Sequence, residues 1–313
     1  MVGVLGVLLG GLLVAAASAL PAAVARAGGA DNSPPGPAAA LDPAALAAAT
    51  SLAPAADAGF VRRVYTDATG QSLTYYLHVP DGYDPRRQYP LVLLLHGGGE
   101  RASPAATPAE NEALLLDQGY VRVWAAGPAD SPLPTVQSRW PSFVVVPQLM
   151  YPNQWVDVPT AHGPYRQAAR PSDSLRLTKA ILDTLQHRYP DIDPHRRYIT
   201  GISLGGYGVW DAIERWPDYF AAAAPLCGAG DPAAAARLVG LPIWAFHGAR
   251  DGIVPVAGSR AMIRAITAAG GHPRYTEYAA TGHGIWNMVY ASPRRLGQTS
   301  PFFTWLFAQR RPG

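Results

Sequence analysis

Ser203 stands in the run Tyr198-Ile199-Thr200-Gly201-Ile202-Ser203-Leu204-Gly205-Gly206-Tyr207-Gly208, a G-x-S-x-G pattern. A serine with glycines two positions to either side suits a sharp turn, because a Cβ at those positions would strike the neighbouring backbone. Arg197 to Thr200 reads as the end of a buried strand and Leu204 to Trp216 as a helix, so Ser203 falls in the turn that joins them. In that context the hydroxyl is lifted above a sheet. The helix adds the positive end of its dipole and the free amide of Leu204, both suited to a negative charge forming beside the serine. The competing interpretation is a Gly-rich turn that carries an ordinary surface serine.

A serine hydroxyl is a weak nucleophile near neutral pH and needs a base, a group that orients the base, and donors for an oxyanion. After the apolar strand Ile243 to Phe246 the chain offers Asp251, and after Tyr275 to Tyr278 it offers His283. Both fall in loops just past strand ends, in the order Ser, Asp, His. Taken singly, Asp251 could be a turn former and His283 a solvated loop histidine. The joint occurrence favours catalytic roles for Ser203, Asp251 and His283. Asp231 is the alternative acid; Asp211 lies inside the helix after the turn, and His247 sits on a strand end where local bonding is the expectation. The strand Leu91 to Leu95 runs into His96-Gly97-Gly98-Gly99-Glu100, where glycines let the backbone approach a bound carbonyl. The Gly98 amide is expected to complete an oxyanion hole with Leu204, with Gly97 and Gly99 beside the substrate. A phosphate-binding loop is the rival for such a turn, but lysine and hydroxyl residues are missing from it.

These residues need a frame, and the chain supplies a regular one. Of 313 residues, 49% are hydrophobic, ample for a core; only 15% are charged and the net charge is +3, too small a field to suggest nucleic acid as partner. Lys179 is the only lysine, and Cys227 the only cysteine, so no intrachain disulfide can form. No Cys/His spacing suits a metal. Residues 1–27 end in the small-x-small pattern Ala25-Arg26-Ala27 after an apolar run, and are expected to be a signal peptide that exports the protein to the periplasm or medium, or an uncleaved anchor. Residues 28–59 form an Ala/Pro-rich spacer expected to be disordered, and 60–313 the catalytic domain. Within it, Val61 to Thr66 and Ser72 to Val79 read as a hairpin.

Apolar strands then alternate with helices: strands at Leu91 to Leu95, Phe143 to Val146, Arg197 to Thr200, Ala221 to Leu226, Ile243 to Phe246 and Tyr275 to Tyr278. Helices fit at Ala109 to Gln118, Ser172 to Arg188, Leu204 to Trp216, Asp231 to Val239, Ala257 to Ala269 and Pro301 to Ala308. The fold class is α/β, a mostly parallel sheet with helices on both faces, and function is expected beyond the carboxyl ends of its strands.

Together, the segments Leu95 to Glu100, Val146-Pro147-Gln148, Ile199 to Gly208, Trp244 to Gly248 with Asp251, and Gly282-His283 resemble the α/β-hydrolase superfamily. The likeness is to its secreted serine esterases, the polyhydroxyalkanoate-depolymerase-like, feruloyl-esterase-like and dienelactone-hydrolase-like branch, some of whose members are labelled predicted peptidases. The resemblance implies a carboxylic ester hydrolase that works through an acyl-enzyme and needs no cofactor. Two alternatives remain: a serine peptidase of the prolyl-oligopeptidase type, and a non-catalytic binding protein on the same scaffold. The short stretch Gly228 to Leu241 leaves no room for a large lid. Trp155, in the long loop Gln148 to Pro171, and Trp286 are expected to wall an open groove suited to short-acyl or aryl esters, polymer- or polysaccharide-linked ones among them.

Overall fold

The computed structural model describes residues 59–125, 135–160, 163–290 and 300–312. The expected signal peptide 1–27 and nearly all of the spacer 28–59 lie outside the described residues. Eight strands form one sheet: β1 Val61–Thr66, β2 Ser72–His78, β3 Tyr89–Leu95, β4 Phe143–Gln148, β5 Ile192–Ile202, β6 Ala222–Leu226, β7 Trp244–Gly248 and β8 Arg274–Tyr278. Their order is β1-β2-β4-β3-β5-β6-β7-β8. The hairpin β1/β2 is antiparallel, as is β2 to β4, and every later pairing is parallel.

Burial on both faces explains why β3 and β4 read as unbroken apolar runs. Side chains alternate across the pleat, so Leu91, Leu93 and Leu95 enter one core layer and Val92 and Leu94 the other. The first layer is closed by α4 Asp173–Arg188, α5 Leu204–Arg215 and α6 Ala257–Ala268. The second is closed by α1 Pro108–Leu116, α2 Gly119–Arg122, α3 Val136–Arg139, α7 Trp286–Val289 and α8 Pro301–Ala308. The short helices α2, α3 and α7 carry too few turns to show a periodic pattern, and no sequence signal marks them.

The expected helix over Asp231 to Val239 is a 3-10 helix, Pro232–Leu238, capped by the Asp231 carboxylate on the Ala233 amide at 2.9 Å. That one short piece is all the secondary structure between β6 and β7. Among the described residues no helix is long and apolar enough to cross a membrane.

Candidate active site

The carboxyl ends of β3, β5, β6, β7 and β8 point the same way, and the loops leaving them converge. Ser203 links β5 to α5 with φ 53, a positive value that a residue bearing a Cβ adopts at a cost of about 1–3 kcal/mol. Packing holds the turn in place. A Cβ on Gly201 would lie 2.7 Å from the Gly205 carbonyl oxygen, and one on Gly205 only 2.1 Å from that of Leu95. The turn can therefore sit down on β3 only with glycine at both positions. The Ser203 amide donates to Leu226 O at 2.9 Å, which ties the turn to the end of β6.

Three side chains meet above this turn. His283 Nε2 lies 2.8 Å from Ser203 Oγ, and His283 Nδ1 lies 2.7 Å from Asp251 Oδ2. Burial alone would push the Asp251 carboxyl up, but the hydrogen bonds from His283, Val254 and Ile253 outweigh it and hold the group below the ordinary carboxylate range. The carboxylate is thus ionised and can only accept, so Nδ1 carries the ring proton and Nε2 presents its lone pair to the serine hydroxyl. Asp251 Oδ1 accepts from the Ile253 and Val254 amides, each at 2.9 Å, which fixes the carboxylate plane. The Asp251 side chain has no solvent exposure and that of His283 has 14%. The acid is sealed, whereas the base keeps an open face.

A second histidine also meets Asp251. His247, wholly buried at the end of β7, places Nε2 3.2 Å from Asp251 Oδ2 and 3.1 Å from Val254 O. Both neighbours are acceptors, so Nε2 must be the protonated nitrogen. Burial lowers the His247 pKa, and Nδ1 lies 2.8 Å from Ser259 Oγ, which itself donates to Gly228 O at 3.0 Å. The expectation of local bonding for His247 is right in kind, but it understates the contact. The turn Gly248 to Val254 folds back so that the residue four positions on becomes its partner.

The other acids stand apart. Asp231 accepts from the Ala233 and Gln167 amides, and Asp211 pairs with Arg215 at 2.7 Å; each is occupied away from His283.

On the far side of the serine, the loop after β3 is anchored by His96. Burial pushes this imidazole down to about 4, so it is neutral. Its Nε2 accepts from the Leu149 amide at 3.0 Å, which leaves the proton on Nδ1 for Gly97 O at 2.6 Å. In a trans peptide the next N–H points opposite to that carbonyl, so the bond to His96 fixes the direction of the Gly98 amide. Arg101 Nε then holds Gly98 O at 3.0 Å. Gly98 is half-buried, Gly99 exposed and Gly97 buried, so Gly97 supports the loop and offers little surface to a ligand. Leu204 opens α5, and its amide has no acceptor within the helix.

Trp155 is a correction. It was expected to wall a groove, yet it is fully buried, donates Nε1–H to His96 O at 3.0 Å and packs edge-on against the His96 ring at 5.2 Å. Its bulk fills the space beside Gly208 and Leu95, behind the serine turn. Tyr165 likewise packs inward, stacked on Tyr207. Of that loop's aromatics, Tyr151 faces solvent, at 60% exposure. Trp286 does reach the site: it is half-buried and stands edge-on to His283 at 5.4 Å.

Cys227, Asp251 and His283 each bring a ligand-type atom within 4.8 Å of the others. Burial pushes the Cys227 thiol far up, and its sulfur hydrogen donates to His283 O at 3.3 Å. A protonated thiol is a poor metal ligand, and the other two groups already bond each other.

Residues 143–292 match the dienelactone hydrolase family model. A thermostable esterase structure is 34% identical with a TM-score of 0.65; the match covers 81% of this chain and 64% of that one, so the chain spans just under two thirds of the esterase's length. A feruloyl esterase module from Clostridium thermocellum, solved with sinapinate, has a TM-score of 0.54 at 17% identity, over 83% of this chain and 92% of that one. Porphyromonas gingivalis dipeptidyl peptidase 4 has a TM-score of 0.50 at 14% identity, over 80% of this chain and 35% of the peptidase. The last two likenesses speak for the fold alone. Among curated proteins no sequence match is found. With the sheet order, the serine turn and these relatives in agreement, the chain has the α/β-hydrolase fold, and its residues 143–292 match the dienelactone hydrolase family.

Proposed function

We propose that the protein is a serine carboxylic ester hydrolase that acts through an acyl-enzyme on short-acyl or aryl esters. The observation that carries this reading is the continuous hydrogen-bonded path from Ser203 Oγ through His283 to Asp251, at 2.8 and 2.7 Å. Ser203 attacks the ester carbonyl as its proton passes to His283 Nε2. Asp251 holds the ring in the required tautomer and stabilises the imidazolium that forms. The carbonyl oxygen, now an anion, is received by the Leu204 and Gly98 amides. His283 returns the proton to the leaving alcohol, the acyl-serine remains, and water attacks it by the same base.

The preference for short acyl or aryl groups rests on what borders the serine. Only the 3-10 helix separates β6 from β7, where a cap would otherwise be inserted, and Trp286 offers an aromatic edge beside His283. Export is proposed on residues 1–27 alone.

The test compares p-nitrophenyl acetate, p-nitrophenyl palmitate and a peptide p-nitroanilide. Fast turnover of the acetate, a steep fall for the palmitate and negligible anilide hydrolysis support the proposal. Anilide turnover above that of the acetate makes the protein a peptidase, and no turnover of any of the three leaves a binding protein.

A further inference from the structure

Asp251 Oδ2 accepts from two imidazoles, and the acyl-transfer steps above use one of them. His247 Nε2 lies 3.2 Å from that oxygen, against 2.7 Å for His283 Nδ1. Behind His247 the path continues into the core: Nδ1 lies 2.8 Å from Ser259 Oγ on α6, and Ser259 Oγ lies 3.0 Å from Gly228 O in the loop after β6. His247 and Ser259 are both wholly buried, so their polar atoms must find partners within the protein.

The single hydroxyl hydrogen of Ser259 has two acceptors in reach. Donated to Gly228 O, it leaves an oxygen lone pair for a protonated Nδ1; turned to the ring, it serves a bare Nδ1. Nε2 has no such choice, since Asp251 Oδ2 and Val254 O both accept. The N–H toward Asp251 is therefore present whichever charge the ring carries.

Packing fixes this contact from both sides. A Cβ on Gly248 would lie 2.0 Å from Gly282 O, so the end of β7 is pressed onto the loop that bears His283. The Ala249 and Arg250 amides donate to Tyr278 O and Thr281 O, each at 3.0 Å. A Cβ on Gly258 would lie 2.5 Å from Ala229 Cβ, and glycine there lets α6 bring Ser259 down onto Gly228 O.

Three other titratable groups face this pair of histidines and their shared acid. Glu277 of β8 stands opposite His247 in register, and the hydrogen bond from Arg260 of α6 holds its carboxyl down to about 2. Burial pushes the Tyr207 phenol of α5 up to about 12 and the Cys227 thiol at the end of β6 far up. None of the three changes charge between about pH 4 and 9, so over that range the electrostatics around His283 are set by Asp251 and His247.

We propose that His247 is a positioning residue of the triad: by donating to the oxygen that His283 also uses, it points that oxygen at His283 and weakens the hold of Asp251 on the imidazolium. A donor draws charge from a carboxylate oxygen, so an oxygen with two donors stabilises imidazolium less than an oxygen with one. His283 is thereby kept free of its proton, and able to act as base, to lower pH. The kinetic arm of the test rests on the ester-hydrolase reading; the ring titration does not.

The test measures kcat/KM for p-nitrophenyl acetate against pH in two variants. His247→Phe keeps an aromatic ring and removes the donor, whereas His247→Gln restores an N–H without a titratable group. The Phe variant is expected to move the acid limb of the profile up by about one pH unit, and the Gln variant to hold it within about a third of that. A side chain that only filled the core would shift the unfolding midpoint in both variants and leave the limb in place. An unmoved or downward-moving limb in His247→Phe, or an equal upward shift in His247→Gln, overturns the proposal. Long-range 1H–15N spectra of the native protein decide the case where His247→Phe does not fold. Signals lost in His247→Gln and in His283→Gln identify the two rings, and the His247 nitrogens are expected to shift with the midpoint at which His283 takes its proton. His247 nitrogens that stay constant through that midpoint overturn the proposal. Absence of p-nitrophenyl acetate turnover in the unsubstituted protein would count against the ester-hydrolase reading, and the ring titration then decides the role of His247 alone.

Discussion

Asp251 receives four donors: the amides of Ile253 and Val254 on Oδ1, and the two imidazoles of His283 and His247 on Oδ2. Replacing it by Asn keeps the shape but puts an amide where an ionised oxygen must accept, so His283 loses both its tautomer and the charge that stabilises imidazolium. Asp251→Asn is expected to lower kcat by roughly 10⁴. Asp231→Asn disturbs a helix cap, the Gln167 amide and an exposed ion pair with Arg166 at 3.9 Å, and is expected to cost about 1 kcal/mol of stability with turnover within a few-fold of the original. Steady-state kinetics on p-nitrophenyl acetate separate the two, and an exchange of these phenotypes would mean that the acid is misassigned. Ser203, Asp251 and His283 were legible in the sequence because each follows a strand end directly and their chain order constrains the choice. The contact of His247 with Asp251 was not legible, since it depends on how the turn Gly248 to Val254 folds back, and residue types alone do not determine that path.

Among the elements, the strands of the sheet were the easiest to place, because apolar runs bounded by turns mark them with little ambiguity. The loop from Leu149 to Pro171 was the hardest. A tryptophan in such a loop serves equally well as groove wall or as core, and only the position of β3 against α5 decides that Trp155 turns inward. Its truncation is therefore a core deletion: Trp155→Ala removes a fully buried indole and the bond to His96 O, and is expected to destabilise by about 3–5 kcal/mol. Urea unfolding measures this directly. Unchanged stability together with a raised KM would return Trp155 to the groove wall. The segment Asp231 to Val239 shows a related ambiguity, since Pro-Ala-Ala-Ala-Ala reads as helix whether the turns close as α or as 3-10.

For the molecule as a whole, one buried acid makes stability depend on pH. Burial pushes the Glu214 carboxyl well above its ordinary value; the Asp231 amide, which donates to Oε1 at 2.9 Å, opposes this, and the charges of Asp211 and Asp231 add to it. A group whose pKa is raised on folding contributes its full stability below the unfolded value, about 4.5, and loses it as pH rises toward the folded value. Glu214→Gln keeps the acceptor and removes the titration. The variant is expected to match the native thermal midpoint near pH 4 and to exceed it by a margin that widens toward pH 8; an equal offset at both pH values would contradict the account. The central claim, however, concerns the serine held above this sheet, and the most direct measurement is intact-mass and peptide-level analysis after treatment with an aryl phosphonate, paired with the kinetics of Ser203→Ala. The account predicts one phosphonyl group per chain, located on Ser203, blocked in Ser203→Ala, and a fall in kcat of roughly 10⁴ to 10⁶ in a variant that unfolds at the same urea midpoint. Label on any other residue, or near-normal turnover by Ser203→Ala, would contradict it.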